Sequence, residues 1–197
     1  NAVGDYDLEI RDITTGKLLD IQKGLTDSNT ITAPSAGTFD LRIIPADTAT
    51  PFNSIAFFGT GDEGKLLQIR SIGKDVEWDN LNSAFKNCVN MQQGSITGFG
   101  GSGLTSLGES FRESSFNQDI GDWDVSSVTN TGTMFWRNDA FNQDIGGWNV
   151  ANDTAMNTMF GFSPFNQDIG GWNVANVTTM QTMFSENHAF NQDISNW

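Results

Sequence analysis

The chain has 197 residues, with 24 acidic against 10 basic side chains and a formal net charge of −14. That balance excludes nucleic acid as a partner, because phosphate binding needs cations and none occurs from Asn138 to Trp197. The longest apolar runs are a few residues, too short for a membrane span. One Cys and one His exclude a disulfide framework, a Cys-based zinc site and a His-rich metal cage. The chain opens on Asn rather than Met and shows no signal peptide, which reads as a mature or trimmed product.

The first 64 residues do not repeat and read as β-rich. Tyr6, Leu8 and Ile10 alternate with Asp7, Glu9 and Arg11, the pattern of a half-buried strand. Thr15-Gly16 reads as a turn and Lys17–Ile21 as a second strand. Phe39, Leu41 and Ile43 alternate with Asp40 and Arg42, and Pro45 ends that strand. Ile55–Phe58 is a fourth candidate. A stack of repeats exposes apolar ends and needs a cap. Phe39–Ile44 and Ile55–Phe58 are expected to be that cap or the first rungs. Residues 1–35 read as the edge of a small sandwich, or as a strand that pairs with a neighbouring chain.

From residue 65 the chain repeats. FNQDI occurs at Phe116–Ile120, Phe141–Ile145, Phe165–Ile169 and Phe190–Ile194, with starts 25, 24 and 25 residues apart. A tryptophan follows each copy by three, at Trp123, Trp148, Trp172 and Trp197. Met-Phe pairs close units at Phe135, Phe160 and Phe184, and Phe85 and Phe111 close two earlier, degenerate units. About five units of 24–25 residues and a partial sixth fill 65–197. One such unit cannot bury its own apolar face, so neighbours must stack. The expected fold class is a repeat solenoid, leucine-rich-repeat-like. FNQDI is expected as a short strand or extended rung, and Val177–Phe184 as a short helix or 3₁₀ turn. The FNQDI Phe and Ile, the Trp, the closing Phe and the residues four and seven before it form the expected core.

The segments FNQDIGDWDVSSVTNTGTMF, FNQDIGGWNVANDTAMNTMF and FNQDIGGWNVANVTTMQTMF resemble the BspA-like, leucine-rich-repeat-like surface proteins. Lys65–Met91, with its KLLQI and AFKNC segments, is similar to the first repeat of that family, and LTSLGESF (Leu104–Phe111) resembles the treponemal type of leucine-rich repeat. The resemblance covers about 65–197. It implies a secreted or cell-surface protein used for adhesion or interaction, and it names no ligand. The chain departs from the pattern at Thr131, where Met is usual, and at Asp153, where Val is usual, so those rungs are expected to be looser.

Candidate site residues follow from the repeat. Asp119, Asp144, Asp168 and Asp193 would stack about 5 Å apart, and such a column needs cations or hydrogen-bond donors. Capping of a corner by each Asp is the favoured reading; a Ca²⁺ column is the rival. Asn117, Asn142, Asn166 and Asn191, with Gln118, Gln143, Gln167 and Gln192, form a companion polar ladder that is structural or binds a protein or glycan. The Trp column reads as core rather than as a sugar platform. Cys88 reads as a buried thiol and His188 as a solvated turn residue. The Gly-rich loop Gly98–Gly103 lacks the Lys of a phosphate loop. Asn152 and Asn176 begin glycosylation sequons.

No triad, metal set or cofactor loop emerges, so the chain reads as a non-enzyme without a cofactor. The expected function is multivalent contact with a protein or glycan on a cell or matrix surface, outside the cell. The alternative is a filament or surface-layer subunit stacking head-to-tail. Its motive is that Trp197 falls mid-rung and leaves Phe190, Ile194 and Trp197 as an open apolar end, to be covered by more chain or by another copy.

Overall fold

A computed structural model describes residues 6–12, 17–25, 39–45, 80–91, 99–101 and 103–197. The turn expected at Thr15-Gly16, the strand expected at Ile55–Phe58 and the KLLQI segment lie outside these residues.

Three strands form one antiparallel sheet: β1 (Tyr6–Asp12), β2 (Leu18–Leu25) and β3 (Phe39–Pro45), in the order β2-β1-β3. The centre strand is the one with the strongest period-2 alternation. It pairs with β3 in an unbroken register from Tyr6↔Pro45 to Asp12↔Phe39. Against β2 the register slips twice, between Tyr6 and Leu8 and between Ile10 and Arg11. Pro45 ends β3, as a residue without an N–H must on a strand edge. Phe39–Pro45 is therefore a partner of β1 and not a first rung.

The described residues of 80–197 fold as stacked coils, one per repeat unit. Single-residue parallel bridges link the same repeat position in successive coils, Asn80↔Ser106↔Asn130↔Ala155↔Thr179. In the four coils closed by Phe85, Phe111, Phe135 and Phe160, four alternate backbone N–H groups around the closing Phe reach the next coil. From Thr131, Thr133, Phe135 and Arg137 they donate to the carbonyls of Ala155, Asn157, Met159 and Gly161 at 2.8–3.0 Å. Equivalent sets start at Leu81, Leu107 and Met156. The intervening N–H groups close turns within the coil, such as Met134→Thr131, Trp136→Thr133 and Asn138→Phe135.

Of the two readings of Val177–Phe184, the hydrogen bonds follow the 3₁₀-type turn: the Met183 N–H donates to the Met180 carbonyl at 3.1 Å, three residues back, and none of the described residues of 80–197 are helical. A helix would spend every N–H inside its own segment, whereas here half of them join coils. The backbone turns away from helix every fourth residue, where φ is positive: Ser83 and Asn87, Glu109 and Glu113, Thr133 and Arg137, Thr158 and Phe162, Thr182 and Glu186. FNQDI, expected as a short strand or extended rung, carries a single bridge residue at Asp119 and no longer strand, and neighbouring copies meet it mainly through side chains.

The core is a set of ladders running through the stack. Closing Phe rings follow one another at 5.3–5.9 Å from Phe85 through Phe111, Phe135 and Phe160 to Phe184. FNQDI rings run beside them, Phe116, Phe141, Phe165 and Phe190, at 5.9–6.4 Å. The two columns interlock in pairs such as Phe135–Phe141 at 3.7 Å. Phe111, Phe135, Phe160, Phe116, Phe141 and Phe165 are fully buried. Each aromatic side chain buries a large apolar area, so these columns dominate cohesion between coils. Trp148, Trp172 and Trp197 stack as a third column and donate Nε1–H to Ile120, Ile145 and Ile169 carbonyls of the preceding coil at 3.1–3.2 Å.

The two departures from the repeat pattern are one event. Thr131 and Asp153 are both buried, and Thr131 Oγ1 donates to Asp153 Oδ2 at 2.6 Å across adjacent coils. At the same junction the neighbouring coils place Leu107 with Val128 and Met156 with Val177. The coil is not looser there: an apolar pair has been exchanged for a hydrogen-bonded one.

Candidate functional site

The polar members of FNQDI divide into those that join coils and those that face water. Asn117 Oδ1 accepts the backbone N–H of Asn142, Asn142 that of Asn166, and Asn166 that of Asn191, at 2.8–2.9 Å. The next coil's glutamine clamps the same asparagine: Gln143 Nε2 bonds Asn117, Gln167 bonds Asn142 and Gln192 bonds Asn166, each through the carbonyl and Oδ1. Gln118 is fully buried, and the residues of the preceding coil that would face it, 92–98, lie outside the described ones. The Asn–Gln ladder is thus spent on stacking.

The aspartates are different. Asp119, Asp144, Asp168 and Asp193 are exposed, and each accepts the backbone N–H two residues on, at Gly121, Gly146, Gly170 and Ser195, at 2.9–3.0 Å. That bond, made through Oδ1, is a corner cap and holds the Asp193 carboxyl below the ordinary range. Among the described residues no three His, Cys, Asp or Glu side chains gather to hold a metal ion.

The glycine after each cap has a packing reason. A Cβ at Gly121, Gly146 or Gly170 would lie 2.4–2.7 Å from the backbone carbonyl oxygen of the next coil's aspartate. Ser195 occupies this position in the last unit.

Phe190, Ile194 and Trp197 are half-buried and pack on the core with Val174, Val177, Met180 and Phe184. His188 is solvated, with Nε2 3.5 Å from Glu186. Cys88 is fully buried. Asn152 and Asn176 are exposed, but their amide nitrogens donate to the Ser126 and Ala151 carbonyls at 2.7 Å. An exposed threonine column, Thr129, Thr154 and Thr178, passes hydroxyl and backbone N–H donors to the preceding threonine's carbonyl.

A surface cluster that repeat counting does not find lies just after the closing Phe. The last three of the ten cationic residues gather there. Glu109 joins Lys86 at 2.8 Å and Arg112 at 3.0 Å. The hydrogen bond from Lys86, opposed by partial burial, lowers the Glu109 pKa. Arg112 and Arg137 each lie 4.5 Å over the Trp136 ring, and Arg137 also covers exposed Phe162 at 5.1 Å. Successive coils hold Lys86, Arg112, Trp136, Gly161 and Ser185 at one position here. A position that does not repeat gives no periodic signal; clustered Arg and aromatic residues are the one sequence cue.

The family model for a Mycoplasma protein of unknown function, DUF285, matches residues 79–197, the stacked coils. The chain belongs to the DUF285 family. No curated protein and no solved structure matches this DUF285 chain. Among its described residues no helix is long and apolar enough to cross a membrane.

Proposed function

We propose that this DUF285 chain is a non-enzymatic interaction module of an extracellular or cell-surface protein: a leucine-rich-repeat-like solenoid over 65–197 preceded by a β-rich region over 1–64. One observation carries the reading. Each coil commits its backbone and its Asn–Gln pairs to the next coil, while Asp119, Asp144, Asp168 and Asp193 recur in the open, once per coil. A rigid stack with repeated exposed groups suits many weak contacts in parallel. The resemblance of the repeats to BspA-like surface proteins supports the location and the adhesive role, and the partner is a protein or glycan on a cell or matrix surface.

The head-to-tail filament is the weaker reading. A copy stacking on the last unit in coil register would bring a carbonyl against the Ser195 side chain, where the internal coils carry glycine.

Solid-phase adhesion of the purified chain to host-cell and matrix surfaces tests the proposal. Neutralising the four aspartates to Asn should lower adhesion severalfold without lowering the melting temperature, because each Oδ1 cap is retained. Absence of adhesion to every surface, together with turnover of any substrate, would overturn it. Light scattering in the same samples should report a monomer.

A further inference from the structure

We infer that the outer turn face of the coils closed by Phe111 and Phe135 holds a saccharide subsite; this deepens, and rests on, the proposed adhesive function. Three residues before the closing Phe, successive coils carry Asn82, Gly108, Gly132, Asn157 and Gln181. Two central coils therefore lack a side chain, and a shallow cavity of about 370 Å³ opens there.

Neither glycine is required by the backbone, since the positive-φ glycines among the described residues are Gly100 and Gly101. Neither is required by a neighbouring main chain. A Cβ at Gly108 would meet Asn130 Nδ2 at 3.0 Å and Asn82 Oδ1 at 3.1 Å. At Gly132 it would meet Asn157 Oδ1 at 2.9 Å and Asn130 Oδ1 at 3.1 Å. These are all ends of side chains, unlike the carbonyls that enforce Gly121, Gly146 and Gly170. The glycines at 108 and 132 make room for the amide ends of Asn82, Asn130 and Asn157, which line the cavity.

The groups around the gap select the ligand. Asn130 Oδ1 accepts the Gly132 N–H at 2.9 Å, which fixes the amide and leaves Nδ2 as a donor beside Gly108. The Asn157 amide and the Thr133 hydroxyl also line the cavity and make no hydrogen bond of their own among the described residues, Asn157 offering both polarities. The Glu109 carboxylate lies at the edge, already held by Lys86 and Arg112. No apolar side chain lines the gap, which removes the usual basis for a hydrophobic ligand. A donor facing inward and the lack of a carboxylate cluster disfavour a cation. With the nearby cations engaged by Glu109, a phosphate gains little. The chemistry that remains is a polyhydroxylated neutral unit, one pyranose of a surface glycan, whose vicinal hydroxyls each donate and accept.

The probe is a panel of free neutral hexoses and N-acetylhexosamines, read by NMR shifts on the full chain, with adhesion to host-cell surfaces measured in parallel. Some members should move the backbone amides of Asn82, Gly108, Thr133 and Asn157. Gly132→Ala should reduce binding at least tenfold while the melting temperature holds, and Asn157→Ala should weaken it severalfold. If Gly132→Ala folds and binds unchanged, or if no sugar moves these amides while the chain still adheres, the subsite is wrong and the adhesive function stands. If binding answers to Arg137→Ala instead, the ligand is an anionic one on the neighbouring cation–aromatic cluster, and the subsite is again wrong. Failure of all adhesion would overturn the underlying function.

Discussion

The buried Thr131–Asp153 pair gives the sharpest test of the packing. Thr131 Oγ1 donates to Asp153 Oδ2 at 2.6 Å, and the Ala155 N–H donates to Oδ1 at 3.0 Å. Thr131→Val removes one donor from a carboxyl that is 1% exposed, at a cost of about 1–3 kcal/mol. Asp153→Val alone strands the threonine hydroxyl. The double variant Thr131→Met/Asp153→Val recreates the Met156–Val177 arrangement of the next junction. Exchanging a buried polar pair for apolar side chains of similar volume is neutral or stabilising by about 1–4 kcal/mol. The double-mutant cycle, with Thr131→Met as the second single variant, should therefore show a coupling of about 0.5–3 kcal/mol, the double being more stable than either threonine single. Urea unfolding of the four proteins measures it, provided the m-values agree.

The same cycle has a pH signature. Burial raises the Asp153 pKa, against hydrogen bonds from Thr131 and from nearby backbone N–H groups. A raised folded-state pKa means that the native state holds its proton more tightly than the unfolded chain. That stabilising share is fully present below the ordinary aspartate range and is lost as pH rises through the folded value. Wild type should accordingly lose stability relative to the double variant as pH climbs from about 4 toward neutrality. Additive single effects, or a wild-type advantage that grows with pH, would refute this account of the pair.

Four further predictions follow from particular contacts. Gly146→Ala places a Cβ 2.5 Å from the Asp168 carbonyl oxygen and should destabilise by about 1–3 kcal/mol, while Gly147→Ala, with nothing within 4 Å, should be neutral or stabilising by up to about 1 kcal/mol, both read by melting temperature. Trp148→Phe removes one of the two donors to the Ile120 carbonyl, which keeps the Trp123 N–H, at a cost of about 0.5–1.5 kcal/mol, and Trp197→Phe should cost less because Trp197 is half-buried, as denaturant titration will show. Thr133→Gly relieves a β-branched residue at φ 59° and, net of the greater backbone entropy of glycine, should raise stability by about 0.5–1 kcal/mol in urea unfolding. Glu109→Gln should remove part of the stability that the wild type loses as pH falls through the lowered Glu109 pKa, visible as a flatter acid limb in a melting-temperature profile.

Sequence period specified the core well. Phe116, Phe141, Phe165, the three isoleucines Ile120, Ile145 and Ile169, and the tryptophans recur in phase because every coil buries the same faces. Period said less about how the backbone is satisfied. Apolar spacing at Val177–Phe184 fits a short helix or a 3₁₀ turn alike; the N–H groups that join coils leave no i→i−4 ladder, and ordinary residues such as Thr133, Thr158 and Thr182 accept positive φ to allow the turns. Polar residues were harder to read. The Asn–Gln ladder left a structural and a binding role open, and its hydrogen bonds run one coil away. Thr131 and Asp153 each looked like a defect alone, since they meet only across 22 residues of chain. The cation–aromatic cluster and the glycine gap fall at positions that vary from coil to coil, where averaging over repeats discards the very differences that shape a site.

The most direct test of the central claim is a one-unit deletion. Removing residues 165–189 joins Pro164 to Phe190, keeps the repeat in phase and leaves the Thr131–Asp153 pair and Asn157 in place. The deletion should fold with one fewer Trp–carbonyl bond and one fewer exposed aspartate, and its adhesion to host-cell surfaces should fall gradually, severalfold rather than completely. Complete loss of adhesion from the folded deletion, or adhesion unchanged by it, would contradict contact shared along the stack.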